Sequence, residues 1–162
     1  MMWIALSVGV LLLLLPLLIG LGLPPRQQVT RVELLKAPTA EVWEALNNLQ
    51  AQTQWRQDLQ SVQMLDDDAG LRWLEKASRG SPATLRKLKE TPQQELVLEI
   101  HQGSSRGTRQ ARLNSVPGGT RVTFTAVQET SNPLARLAAR QRGGLDARLD
   151  QFIQQLKQHF AA

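Results

Sequence analysis

Between residues 61 and 127 the chain is a succession of short strand-like runs, and this rhythm limits the fold more than any other feature. The runs cover residues 61–65, 71–77, 83–89, 95–101, 108–115 and 120–127. Between them stand Asp66-Asp67-Asp68-Ala69-Gly70, Arg79-Gly80-Ser81-Pro82, Thr91-Pro92, the stretch 103–107, and Pro117-Gly118-Gly119. Each break has turn chemistry, and connections this short join antiparallel neighbours, because a parallel crossover needs about a dozen residues. Leu96, Leu98 and Ile100 fall two apart, as do Val122, Phe124 and Ala126. One face of the sheet is therefore apolar and the other wet. The apolar face requires a partner.

The last thirty or so residues supply it. From Asn132 to Ala162, Leu134, Ala138, Leu145, Leu149, Phe152 and Leu156 recur at helical spacing, and Leu137, Ile153 and Phe160 widen the stripe. Asn132 is placed to cap the first turn, with Pro133 where a missing N–H costs nothing. Gly143-Gly144 interrupts the pattern at about 1 kcal/mol per glycine. Two readings compete. The pair divides 133–142 from 145–160 as a kink or break, or the missing side chains leave room for a ligand or a hinge. Ahead of the sheet, residues 29–36 alternate as a first strand, with Thr30, Val32 and Leu34 on one face and Arg31, Glu33 and Leu35 on the other. Val42, Ala45, Leu46 and Leu49 form a helical stripe, and a second short helix is expected over 53–59 with Trp55 inward. The order predicts an α+β fold: a seven-stranded antiparallel sheet curled around one long C-terminal helix.

Residues 1–23 carry no charged side chain, and residues 3–23 are nearly all apolar. As a helix they rise about 31 Å, close to the hydrocarbon thickness of a bilayer. A secretory signal peptide competes with a retained anchor. Against the signal, no Lys or Arg precedes the run, the run is long, and Leu-Gly-Leu-Pro-Pro is a poor cleavage site. The division is thus a transmembrane anchor over 1–23, a linker over 24–28 that Pro24-Pro25 opens, and one domain over 29–162. Arg26, Arg31 and Lys36 follow the run closely, so the positive-inside rule puts the domain in the cytoplasm. All 19 Lys and Arg and all 14 Asp and Glu lie after the anchor, and the net +5 suits attraction to an anionic lipid surface or plain solubility.

Read with this order, Val32-Glu33-Leu34-Leu35-Lys36-Ala37-Pro38-Thr39-Ala40-Glu41-Val42-Trp43-Glu44-Ala45-Leu46 resembles the START-like, or SRPBCC, helix-grip superfamily. There a first strand runs into an Ala-Pro pair and then a helix beginning Glu-Val-Trp. The stretch 55–62 resembles the segment that follows, and Pro117-Gly118-Gly119-Thr120-Arg121-Val122-Thr123 looks like the hairpin before the last strand. The resemblance spans 29–160. Its members include polyketide cyclases and aromatases, lipid-transfer START domains, plant hormone and allergen proteins, and coenzyme Q-binding proteins. It implies an apolar cavity between sheet and long helix.

Little points to catalysis. The chain has no cysteine, and its only histidines, His101 and His159, lie far apart without metal-ligand spacing. His101 ends a strand on the face opposite Leu98 and Ile100, and is expected to meet water. Asp66-Asp67-Asp68 lacks the longer ligand pattern of a calcium loop, and Gly103-Ser104-Ser105-Arg106-Gly107 has no following helix to make it a phosphate cradle. No metal or cofactor is implied. Nucleic acid fits poorly, since aromatics are 4% and tyrosine is absent; Arg86, Lys87, Lys89, Arg106, Arg109 and Arg112 read as a solvated outer sheet face. Trp43 and Trp55 read as structural anchors. The candidate cavity lining is Trp73, Leu85, Leu98, Leu113 and Phe124 from the sheet, with Gly144, Leu145 and Leu149 from the helix; the competing reading is a filled core. The leading expectation is a membrane-anchored binding domain for a hydrophobic small molecule, lipid- or quinone-like. The alternatives are a protein-interaction module with a filled core, docking a partner at the membrane, and a cyclase- or aromatase-like enzyme. The last requires a polar pair inside the cavity, which spacing does not reveal.

Overall fold

A computed structural model describes residues 1–68, 70–141 and 143–161. In chain order these form α1 (Met2–Gly22), β1 (Arg26–Leu35), α2 (Thr39–Asn47), a 3-10 turn (Gln50–Gln54) and β2 (Leu59–Asp67). Then come β3 (Gly70–Ala77), β4 (Ala83–Thr91), β5 (Glu95–Gln102), β6 (Ser105–Val116), β7 (Gly119–Thr130), α3 (Pro133–Gln141) and α4 (Gly144–His159). The strands make one seven-stranded antiparallel sheet in the order β1-β7-β6-β5-β4-β3-β2. Five successive hairpins build β2 to β7, and β1 returns to pair β7 from Arg26↔Glu129 to Leu35↔Thr120. Strand β1 reaches back to Arg26, so only Leu23, Pro24 and Pro25 separate α1 from the sheet.

The concave face of the sheet is one parity of each strand. Val29 and Leu35 of β1, Val122, Phe124 and Ala126 of β7, and Ala111 and Leu113 of β6 are buried there with Leu96, Leu98, Leu85 and Trp73. Against them α4 sets Leu149, Phe152, Ile153 and Leu156, all buried. Phe124 and Leu156 are fully buried, each removing about 2–3 kcal/mol of apolar surface from water. Polar clips fix the helix over β1: Arg31 Nε to Asp150 at 3.0 Å and Lys157 Nζ to Glu33 at 3.2 Å. Helix α2 closes one end, where the buried Thr120 hydroxyl donates to the Ala37 carbonyl at 2.9 Å and lies 3.1 Å from Thr39 Oγ1.

The second short helix needs correction. The helix expected over 53–59 is a 3-10 turn ending at Gln54, and Leu59 already belongs to β2. The fully buried Gln52 amide donates to the carbonyls of Ala45 and Leu46, both at 3.3 Å, and holds the segment to one tight turn. At Gly143-Gly144 the first of the two readings holds, a break that divides the C-terminal stripe into two helices. Gly143 and Gly144 adopt φ of 94° and 71°, left-handed values that end α3 and start α4 in a new direction. Asn132 caps α3 as expected, accepting from the Leu134 and Ala135 amides at 2.9 and 3.4 Å.

The break sends α3 away from the sheet. None of its described residues is buried, and Leu134 is 51% exposed. It packs instead on the end of α1, where a Cβ on Gly20 would lie 2.1 Å from the Pro133 carbonyl oxygen. Among the described residues α1 is the one helix long and apolar enough to cross a membrane.

The glycine pair makes a graded prediction. A Cβ at Gly143 would also sit 2.8 Å from the Ala147 Cβ, whereas one at Gly144 meets nothing within 4 Å. Denaturant unfolding should therefore find Gly143→Ala less stable by about 2 kcal/mol and Gly144→Ala by about 1 kcal/mol. Equal, negligible costs would mean the break is not held by backbone conformation.

Candidate ligand-binding site

The strand register carries a row of side chains across the concave face: Lys87 opposite Leu98, Leu98 opposite Arg109, Arg109 opposite Ala126, and Ala126 opposite Val29. Two cations thus point into the grip. Arg109 lies under α4 with its Cζ 4.1 Å from the centre of the Phe152 ring. Lys87 sits over the Trp73 ring at 5.1 Å and pairs with Glu90 at 2.9 Å. One row along, Glu75 of β3 faces inward opposite Ala83.

Glu75 belongs to a buried network that starts at the 3-10 turn. Arg56 donates through Nη1 to Gln52 Oε1 at 3.1 Å and to Glu75 Oε1 at 3.0 Å. Its Nε and Nη2 reach the two Asp58 oxygens at 3.3 and 2.8 Å, a forked pairing that only guanidinium geometry provides. Arg56 also lies 5.3 Å from the Phe152 ring centre, so that ring contacts both arginines. Trp55 and Phe124 meet Phe152 edge-on at 5.6 and 6.0 Å. On α4 the buried Gln155 keeps its Oε1 without a hydrogen-bond partner among the described residues.

The electrostatics differ between the two arginines. Burial alone would raise the Asp58 carboxyl; hydrogen bonds and charge from Arg56, with smaller help from its own backbone and Gln155, outweigh that and hold it below 3.8. Arg109 is pushed down to about 10, by burial first and then by the Arg56 charge, while Glu75 and Asp58 oppose the shift. Together Arg56, Arg109, Asp58 and Glu75 balance to zero. Yet among the described residues no carboxylate lies within ion-pair distance of Arg109, whose N–H donors are unspent. A group with an oxygen acceptor is what such a guanidinium can bind.

The expected cavity-lining residues divide by place. Trp73, Leu85, Leu98, Leu113, Phe124 and Leu149 are all buried in the central core. Leu145 is half-buried at its margin. Gly144 lies at the helix break with open space beside it. Towards the start of α4 the concave face is less covered: Ile100, Gly107 and Gln128, which share one row, are half-buried. Outside the grip, His101 faces outward and pairs with Glu99 at 2.7 Å, and the exposed His159 stacks on Trp55 at 5.7 Å.

The reading of all six basic strand residues as a solvated outer face is corrected at Lys87 and Arg109. A bulge between Lys87 and Lys89 sends Lys89 outward with Arg86 while Lys87 turns in. Arg106 and Arg112 do face out, one parity away from Arg109. The missed signal was strand parity: Arg109 shares it with Ala111 and Leu113, Glu75 with Trp73, and Lys87 with Leu85. Arg56, in a turn, carried no such signal.

This architecture is the helix-grip fold. The family model described as polyketide cyclase / dehydrase and lipid transport matches residues 26–161, and the chain belongs to that family. Among solved structures it is similar to a conserved protein of Geobacillus kaustophilus, at 16% identity, TM-score 0.68, covering 83% of this chain and 95% of that one. It is also similar to the Zhui aromatase/cyclase of a Streptomyces species, at 12% identity and TM-score 0.67, over 83% and 93% of the two chains. A START superfamily protein of Mycobacterium smegmatis matches at 12% identity and TM-score 0.63, over 82% and 96%. No curated protein sequence matches the chain.

The network predicts acid behaviour. A carboxyl whose folded pKa lies below its unfolded value adds stability above about pH 4 that is lost as pH falls through the folded value. Asp58 is 31% exposed, so Asp58→Asn should cost about 1–2 kcal/mol at pH 7. It should also flatten the fall of Tm below pH 4. An acid limb unchanged from wild type would show that the Arg56 fork contributes little.

Proposed function

We propose that this chain is a membrane-anchored binding domain that shelters an apolar molecule, lipid- or quinone-like, between the concave sheet face and α4. The observation that carries the reading is Arg109, a half-buried guanidinium under the Phe152 ring with no ion-pair or hydrogen-bond partner among the described residues. A molecule with a carbonyl, phenol or hydroxyl head satisfies the guanidinium donors. The balanced charge of the surrounding network favours such a head over an additional full charge. The apolar body lies along Ile100 and Leu145 towards the break at Gly144. Trp73, Leu85, Leu98, Leu113, Phe124 and Leu149 form the floor beneath it, and the first turn of α4 moves on the glycine pair to admit it. Membership of a family that includes lipid transport in its description supports the reading. Helix α1 is the anchor. Arg26, Arg31 and Lys36, just after it, support a cytoplasmic side for the domain by the positive-inside rule.

The test is the full chain purified in mild detergent, incubated with cell lipid extract and examined by native mass spectrometry with solvent extraction. Wild type should carry one apolar molecule, and Arg109→Met should lower its occupancy about ten-fold, the loss of a charged hydrogen bond. Because burial of this cation costs stability, the same variant should be more stable by about 1–3 kcal/mol at pH 7. Gly144→Leu should lose the molecule and keep the fold. A wild-type protein that remains empty, or full occupancy in Arg109→Met, would reject the proposal.

A further inference from the structure

The end of the domain from which α1 departs carries a second, separate feature. An open groove of about 530 Å³ is walled by Pro25, Arg26, Ser104, Arg106, Glu129 and Ser131, with Thr130 at its base. Register explains how it forms. Arg26 and Arg106 both sit opposite Glu129, from β1 and β6 respectively, so the three make one row on the outer face. The single carboxylate is flanked by two guanidiniums. It holds Arg26 loosely, at 3.8 Å, and Arg106 has no ion-pair or hydrogen-bond partner among the described residues. Beside the groove a smaller cleft is lined by Leu23, Arg136 and Arg140. Arg136 donates to the Thr130 and Ser131 carbonyls, at 2.7 and 3.2 Å, and pairs with no carboxylate among the described residues.

The position of this charge relative to α1 decides what it meets. The apolar helix ends at Gly22, and Pro25 already walls the groove. Three residues span at most about 10 Å, and the headgroup layer outside the hydrocarbon is about 5–8 Å deep. With α1 in a bilayer, the groove lies in or against that layer. Helix α3 adds an independent sign. It packs on α1 through Pro133, buries none of its described residues in the domain, and leaves Leu134 exposed while Arg140 ends its last turn. Such a helix, apolar on one side and basic on the other, suits the plane of a membrane interface.

We infer that this end of the domain is a docking surface for anionic phospholipid. Arg26 and Arg106 hold the lipid phosphate, the Ser104 and Ser131 hydroxyls complete its shell, and Arg140 faces neighbouring headgroups. The inference rests on the anchor assigned above. It is independent of any molecule inside the grip. Docking at both α1 and the groove fixes the tilt of the domain, which a flexible tether alone would leave free.

The experiment uses the full chain in detergent micelles, titrated with dioleoylphosphatidylglycerol or dioleoylphosphatidylcholine, with bound lipid counted by native mass spectrometry. Wild type should retain phosphatidylglycerol about ten-fold better, with the preference shrinking in 0.5 M salt as screening predicts. Arg26→Glu combined with Arg106→Glu should abolish the preference, and Arg86→Glu, at an outer-face residue paired with Glu99, should leave it intact. If the double variant does not melt cooperatively, Arg106→Gln is read in the same way. Equal retention of the two lipids by wild type overturns the inference. So does a preference that survives in the groove variants but disappears in Arg109→Met, which would place the lipid inside the grip. A preference lost in the groove variants and kept in Arg109→Met supports it, whatever becomes of the interior ligand.

Discussion

Burial of the α4 stripe against the concave sheet face is the contact on which the rest of the structure depends. A twisted antiparallel sheet with one apolar side cannot stand alone in water, and a helix of this length is marginal without a packed face. Leu149, Phe152, Ile153 and Leu156 meet Val122, Phe124 and Leu98 in a common core, which Val42, Trp43 and Leu46 of α2 complete at one end. The clips at Arg31–Asp150 and Lys157–Glu33 add register rather than much energy, since exposed pairs are worth at most about 1 kcal/mol. They set α4 over β1, and that placement leaves Phe152 above Arg109.

The same packing makes the interior polar network possible. Arg56 is tolerated in the core because Gln52, Asp58 and Glu75 take its donors, and because Phe152 covers its face. Arg109 has the cover without the acceptors. A solid core would replace it with an aliphatic side chain and gain stability. Its presence is therefore the clearest local conflict between folding and some other demand on the chain.

The break at Gly143-Gly144 separates two environments. Beyond it α4 serves the core; before it α3 serves the end where α1 departs. The row of Ile100, Gly107 and Gln128 stays half-covered, and the two left-handed glycines turn the chain so that Pro133 lies against Gly20. The opening of the grip and the basic groove consequently lie at related ends of the domain, close to the anchor.

The sequence by itself determined the antiparallel sheet, the apolar parity of β5 and β7, the capped start of α3 and the helix that closes the fold. These follow from period, turn chemistry and capping, which act over a few neighbouring residues. In β1, by contrast, only packing put Val29 and Leu35 inside and left Val32 and Leu34 exposed. Arg109, Glu75 and Lys87 were half-legible, because parity places them inward while their charge argued for the surface. Only the tertiary structure decided between the two. It brings Gln52, Arg56, Asp58 and Glu75 within hydrogen-bond reach, so that charges from separate segments desolvate together. It also decided that Gly143-Gly144 ends one helix and begins another, since the pair's cost of about 2 kcal/mol is offset by packing on α1 and on the sheet, partners that lie far away in the chain.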